Sequence, residues 1–433
     1  MQPRKFMLEV GSRLVLVAVL TAAGATLASG QTENVLYRFK GHSDNGYPTA
    51  GLVSDKAGNF YGTTSGFQIG CETVFELVKP TSPGSPWVEE VLHTFSCNNE
   101  ATPYDAPIID EAGNLYGTTF DNSVGSVFEL TPPATQGGVW AETVPHSFTG
   151  QTGDGDGAGS VASLVMDKAG NLYGTTENGG NKSGPCASTG GCGVVFELTP
   201  PATQGGTWSE VILRAFNVTD GQVPAAGVTL DQAGNLYGTT FYGGPSEVGV
   251  IFKLAKPATE GEAWKETVLY NFTGTGDGGY PAGNLVLHGN NLYGTAVGDS
   301  EGSEECGSAS DCGVIFELSP PPTQGAPWTE NTLYAFTRGT DGIAPYAAVI
   351  FDHAGNLYTT TNNGGQSNNG TVVELSPPTA QGSAWTESIL WRFGGRTDGA
   401  NPEGSLILDP AGNLYSTTRT GGNGYGTVFR IKP

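Results

Sequence analysis

Large apolar and polar residues alternate in short bursts along this chain, and no stretch keeps a helical period. The phrase Trp-x-Glu-x-Val-Leu-x-x-Phe begins at Trp87, Trp140, Trp208, Trp264, Trp328 and Trp385 with small changes. Its two-residue period is that of a half-buried strand. A second phrase, Asn-Leu-Tyr-Gly-Thr-Thr, has its Asn at 59, 114, 171, 235, 291, 356 and 413, a mean period of 59. Ahead of it stand a short aliphatic run, as in 404–409, and an Asp-x-Ala-Gly turn. The turn's Gly accepts φ > 0 and its Asp bonds the local backbone. After it comes Val-Phe-Glu-Leu, as at 127–130 and 195–198, ended in most copies by prolines that stop a ladder. Each of seven units therefore predicts four strands.

Four-stranded units repeated around a period of this length predict an all-β, seven-bladed β-propeller of antiparallel blades. A β-solenoid is the rival, but its coils are far shorter than 59 residues. The two ends of the chain are complementary. The seventh unit stops after its third strand, 427–431, and residues 31–39 read as a fourth strand without a unit of their own. Glu33 matches Glu89, and Phe39 matches Phe95. The N-terminal strand 31–39 is expected to complete the last blade and remove an exposed edge at the seam. Small residues such as Ala50-Gly51, Ala225-Ala226-Gly227, Ala282-Gly283 and Ala347-Ala348 are expected near the crowded axis, and the Trp and Phe rings between blade faces.

Composition agrees. Glycine supplies 67 of 433 residues and proline 27, a punctuation density that excludes long helices, while 10% aromatic content argues for a packed core. The net charge of −23 repels phosphate backbones and anionic membranes, so nucleic acid is not an expected partner. Residues 1–30 read as a signal peptide: Arg4, Lys5 and Arg13, an apolar run from Leu14 to Ala28, then Ala28-Ser29-Gly30. That run is shorter than the roughly 20 residues a membrane span needs. The remainder, 31–433, is expected to be one secreted or periplasmic domain, monomeric, without membrane insertion and without an anchoring tail. Six cysteines in an exported chain favour disulfides. Equal spacing suggests Cys186–Cys192 and Cys306–Cys312, leaving Cys71 with Cys97, although sequence permits 15 pairings. The absence of Cys-x-x-Cys and of histidine near these pairs argues against zinc there.

The units resemble the bacterial GloVer (Gloeo/Verruco) tandem repeat. The likeness rests on Gly170-Asn-Leu-Tyr-Gly-Thr-Thr176 with Gly179-Gly180, and on Gly426-Thr-Val-Phe429, and it covers essentially all of 31–433. Some copies depart, as in 288–291, Thr359 and Ser416. The resemblance implies an exported repeat protein and brings no catalytic residues with it.

Candidate chemistry lies on the face formed by the loops joining strands two and three and by the links from strand four to the next blade. Each link carries Asp-Gly-x-x-Pro or a relative, with Asp44, Asn99, Asp156, Asp220, Asp277, Asp341 and Asp398 at the first position. A closed ring would set six carboxylates around the channel mouth as a ligand-binding funnel. Asp154 and Asp156 are the candidate metal ligands, with Ca2+ the ion such oxygens suit. The same motif also serves as a plain turn, with Asp bonding its own backbone. The five histidines (42, 93, 146, 288, 353) match no metal spacing, and His93 and His146 read as packing variants of a Tyr or Arg position. The Glu of Val-Phe-Glu-Leu reads as a solvated strand face. Function is read as binding or scaffolding on a glycan, peptide or protein surface. The alternative is a glycoside hydrolase or polysaccharide lyase, for which Asp105, Glu304, Glu305 and Asp311 are the acids that break the pattern.

Overall fold

A computed structural model describes residues 31–433, apart from 42–43, 66–70, 96–101, 121–123, 136, 151–154, 204, 260, 299–311, 324, 338 and 381–382. Seven four-stranded antiparallel sheets form the blades of a β-propeller. Blade one runs Val53–Ser54, Phe60–Thr64, Thr73–Val78 and Val88–Thr94, from inside to outside. Blades two to six repeat this order, their outermost strands being Ala141–Ser147, Ser209–Ala215, Lys265–Asn271, Thr329–Ala335 and Thr386–Arg392. Blade seven contributes Ile407–Leu408, Leu414–Thr418 and Thr427–Lys432. Its outermost strand is Thr32–Arg38, from the other end of the chain. Thr32 pairs with Lys432 and Arg38 with Thr427, so the ring closes as the complementary ends predict.

The second strand is buried along its whole length in six blades, and beyond its first residue Asn291 in blade five, because it is covered on both sides by neighbouring blades. Its middle Thr reaches across to the next blade. Thr118 Oγ1 donates to the carbonyl of Ala162, Thr175 to Ala226, Thr295 to Ala347 and Thr417 to Ala50, at 2.6–3.1 Å. The phenylalanine following each outer strand packs against the next blade's third strand, on its phenylalanine except at Phe336, which meets Val373. The pairs Phe39–Phe75, Phe148–Phe196, Phe216–Phe252, Phe272–Phe316 and Phe393–Phe429 have centroids 5.0–5.4 Å apart. The Trp rings also bridge blades, as Tyr116–Trp208 and Tyr173–Trp264 show. These contacts match the expected placement of Trp and Phe.

Three details differ from the sequence reading. The innermost strands shrink to two or three residues, since the small residues before them line the axis without pairing in the ladder. The outer strands start one residue after the Trp. Each also carries a bulge: Val195 faces Arg214 while Phe196 faces Ile212, which leaves Leu213 as the extra residue. The bulge breaks the two-residue alternation and turns Leu213, Leu269, Leu333 and Leu390 inward, where they are buried.

The Asp-x-Ala-Gly turns are as expected. Asp231 Oδ1 accepts from the amides of Ala233 and Asn235, and Gly234 sits at φ +85°. The Glu of Val-Phe-Glu-Leu is not a plain solvated face. It is half-buried and accepts the hydroxyl of the second-strand Tyr, as in Tyr173–Glu197 at 3.0 Å.

The link between blades holds an unusual joint. Tyr47, Val223, Tyr280, Ala344 and Asn401 each precede a proline and each lie at φ +56°. Their amides donate toward the preceding blade, to Tyr425, Cys192, Val248, Cys312 and Asn369. Their carbonyls accept from the following blade, as from Ser65 to Tyr47 and Phe241 to Val223. Residues 184–189 form a 3-10 turn closed by the Cys186–Cys192 disulfide, with Cα atoms 5.2 Å apart. Cys71 and Cys312 are also disulfide-bonded, while their expected partners Cys97 and Cys306 lie outside the described residues.

Candidate functional site

The innermost residues of the blades enclose a cavity of about 540 Å3 on the axis. It opens on the side of the links and the loops between strands two and three. Part of its wall is small: Ala50, Ala225, Ala226, Ala282, Gly283 and Gly404. The repeat dictates this, because seven chains converge there. Another part breaks the repeat. Tyr104, Tyr346 and Glu403 stand where Ala225 and Ala282 do in their blades, and Asp105 stands where Ala50 does. Asn362 and Arg419, from the position just after the Thr-Thr of the second strand, complete this sector.

These polar groups are held in place. Arg419 Nη1 lies 3.1 Å from Glu403 Oε1, which also accepts from Asn362 Nδ2 at 2.7 Å. Asp105 is half-buried in the wall. Its Oδ2 accepts from the Ser163 amide at 2.8 Å and its Oδ1 from the Ala106 amide at 2.7 Å. Burial raises its pKa above the ordinary carboxylate value, opposed by these bonds. Tyr104 is 42% exposed and offers its ring toward solvent. Its hydroxyl is also shifted up, first by burial, with Arg419 opposing and Glu72 and Glu177 adding to the shift.

The link carboxylates do not line this cavity. Asp44 accepts from the Lys40 amide at 2.9 Å, Asp277 from Thr273, Asp341 from Thr337 and Asp398 from Gly394, each at 2.8 Å. Asp220 accepts from Asn217 at 2.8 Å and Asp156 from Thr149 at 2.7 Å. All are buried or half-buried, and all lock the turn that leaves the outermost strand. Of the remaining sequence candidates, Asp105 alone lies in the cavity. Asn99, Asp154, Glu304, Glu305 and Asp311 lie outside the described residues.

A second arrangement, not foreseen in the sequence, forms on the rim. Each link Asp meets a Glu from the outer strand of the following blade, and the residue two before the preceding strand's Phe lies against the pair. Tyr37 Oη donates to Asp44 at 2.7 Å and lies 3.4 Å from Glu89. Tyr270 and Tyr334 donate to Asp277 and Asp341 at 2.9 Å, with Glu330 and Glu387 as the next blades' acids. Arg214 bonds Asp220, and its Nε lies 2.7 Å from Glu266 without hydrogen-bond alignment. His146 Nε2 lies 3.6 Å from Asp156 and 3.5 Å from Glu210. His93 lies 3.5 Å from Glu142, in the seam whose link carries Asn99. His93 and His146 thus do more than pack. Burial, followed by repulsion from the link Asp, pushes Glu33 and Glu266 up to about 7. Glu89 and Glu330 rise to about 7 from the same two causes, burial first, with hydrogen bonds from Tyr37 and Thr332 opposing.

The Gloeobacter/Verrucomicrobia repeat family model matches residues 65–301, 184–380 and 301–433, and the chain belongs to that family. No curated protein matches it. Among solved structures, the extracellular domain of BT4673 from B. thetaiotaomicron is similar over 92% of this chain at TM-score 0.52 and 10% identity. This chain spans 40% of that protein's length. A luciferin-regenerating enzyme matches over 93% of this chain and 96% of its own, at TM-score 0.43 and 11% identity. The PQQ-bound aldose sugar dehydrogenase of Streptomyces coelicolor matches over 79% and 97%, at TM-score 0.42 and 12% identity. At such identity the first likeness speaks for the propeller fold alone.

Proposed function

We propose that this protein is an exported binding propeller that takes a short glycan into its axial cavity. The carrying observation is that the cavity wall departs from the repeat most strongly toward blades six, seven and two, where aromatic and charged side chains replace small ones. Tyr104 and Tyr346 supply aromatic surface there, and Asn362, Glu403 and Arg419 supply paired donors and acceptors. Aromatic faces with a few fixed polar groups suit a ligand that is apolar on its ring faces and hydroxylated at its edge. The leader-like residues 1–30 and the Cys186–Cys192 disulfide support the exported location.

Binding is favoured over hydrolysis by the state of the cavity acids. Both oxygens of Asp105 are occupied by backbone amides, and Glu403 is held by Arg419 and Asn362. A glycan array followed by calorimetry tests the reading. Binding of at least one oligosaccharide class is expected, with a loss of tenfold or more in Tyr104→Ala and Glu403→Gln. An array without hits, or hits that survive both substitutions, would remove it. Turnover abolished in Asp105→Asn or Glu403→Gln would instead make the protein a carbohydrate-active enzyme.

A further inference from the structure

The rim seam between blades two and three joins a histidine to both a link Asp and a strand Glu, which the other His seam, with Asn99 in its link, does not, and we infer that it is a binding site for a divalent transition-metal ion of the zinc class. Its ligands are His146 Nε2, an Asp156 carboxylate oxygen and a Glu210 carboxylate oxygen. Each comes from a different segment: the outer strand of blade two, the link and the outer strand of blade three. Among the described residues, this is the one group of three such side chains whose ligand atoms all lie within 4.8 Å of one another.

Two observations point to an ion and not merely to a charge pair. The first is spacing. His146 Nε2 stands 3.6 Å from Asp156 Oδ1 and 3.5 Å from Glu210 Oε1, too far for hydrogen bonds. Ligand bonds of about 2.0–2.2 Å at near-tetrahedral angles leave neighbouring donor atoms about 3.4 Å apart. The second is satisfaction. His146 Nε2 and Glu210 Oε1 are both buried and neither makes a hydrogen bond; the strand Glu is left so in four sister seams, and of the nitrogens left so at the His146 position, those of Arg214 and Trp391 included, the imidazole nitrogen is the one able to ligate a metal. Buried polar atoms normally have partners, and a shared cation would supply one to both. The link carboxylate is oriented independently, by the Thr149 amide and hydroxyl and by the Gly157 amide, each at 2.7 Å. Supporting bonds of this kind fix ligands around metals.

The repeat gives an internal control. The position of His146 is Tyr37, Tyr270 and Tyr334 in three other seams, Arg214 in a fourth and Trp391 in a fifth. None of these side chains is a common ligand for zinc, and Arg214 supplies its own positive charge. One imidazole with two carboxylates suits Zn2+ and its first-row neighbours better than Ca2+ or Mg2+, which take oxygen ligands alone.

The test uses tag-free, chelator-treated protein and ZnCl2. Calorimetry is expected to show one site with a micromolar or tighter Kd, and saturating Zn2+ should raise Tm by about two degrees. His146→Tyr installs the residue of three sister seams, so the fold should survive. It is expected to abolish the zinc effect, while Glu210→Gln weakens binding at least tenfold and His93→Tyr leaves it unchanged. Absence of zinc binding in the parent protein, or equal binding in His146→Tyr, would overturn the inference. So would a response to CaCl2 equal to that to ZnCl2.

Discussion

The seam between blades three and four and the seam that closes the ring bring together the same two acids, a link Asp and a strand Glu, and resolve their repulsion differently. In the first, Arg214 bonds Asp220 and lies 2.7 Å from Glu266, so one cation serves both. In the second, Tyr37 offers a single hydroxyl to Asp44, and Glu89 lies 3.4 Å away, where the Lys40 charge opposes but does not overcome the upward push of burial and Asp44. A hydroxyl can donate only one proton, so the neutral seam keeps its second acid uncharged more easily than it compensates it. The lesson is that a single position, two residues before the outer-strand Phe, decides whether a cation stands against the two acids, while burial pushes the strand Glu up to about 7 in both seams.

The broadest way to test this contrast is pH. Glu33, Glu89, Glu266 and Glu330 stand at about 7 in the folded protein against an ordinary value of 4.5. Between these values the unfolded chain releases its protons first. The stability these groups contribute is therefore complete below about 4.5 and is lost as pH rises through about 7. Asp167, Asp231, Asp352 and Asp409 work in the opposite sense. Burial alone would raise them, but bonds from Asn side chains, backbone amides and Tyr hydroxyls hold their carboxyls below the usual range. Their contribution is lost only in stronger acid. Thermal melting is expected to show its highest Tm near pH 5 and a fall of several degrees by pH 8. A flat or rising curve over that interval would contradict the seam chemistry.

Substitutions sharpen it further. Arg214→Met removes the only cation bonded to Asp220 among the described contacts and leaves two acids facing each other. The expected cost is about 2 kcal/mol at pH 8, below the 3–5 typical of a fully buried pair because Arg214 is 31% exposed. Much of that cost should vanish at pH 5, where one acid takes up a proton. Tyr37→Phe should cost about 1 kcal/mol, the loss of one hydrogen bond, as read by urea unfolding. The smallest effect is expected at the joint. Val223 is β-branched and lies at φ +56°, a conformation that glycine adopts without strain. Val223→Gly is expected to leave stability unchanged or raise it by up to about 1 kcal/mol, because relief of strain offsets the added freedom of the unfolded chain. A clear loss would show that the valine side chain matters more than its backbone.

Most of the fold was legible because its signals are local. Asn-Leu-Tyr-Gly-Thr-Thr, its Asp-x-Ala-Gly turn and the Val-Phe-Glu-Leu strand each lie within a few residues, and the unmatched strand at 31–39 declared the closure. The bulge was not legible, since Leu213 turning inward depends on pairing with the neighbouring strand. The rim clusters escaped for a related reason. His146 and Glu210 are 64 residues apart and belong to different units, so neither unit read alone shows the pair. A usable signal did exist. The Glu six residues before each outer-strand Phe recurs in every unit, and the residue two before that Phe varies. The axial site was half visible. Asp105 stood out as an acid in an alanine position, whereas Tyr104, Tyr346 and Glu403 required knowing which residues face the axis. The link carboxylates turn their oxygens back onto the local backbone and do not line the cavity.

The left-handed residue ahead of five of the link prolines has one more consequence. Its amide faces one blade and its carbonyl the next, so a single torsion helps set how far each sheet is rotated from its neighbour. Repeating that torsion at 47, 223, 280, 344 and 401 repeats the rotation. The number of blades that fill a full circle is then written into a joint of two residues, copied along the chain, and a unit gained or lost would leave the circle unable to meet itself.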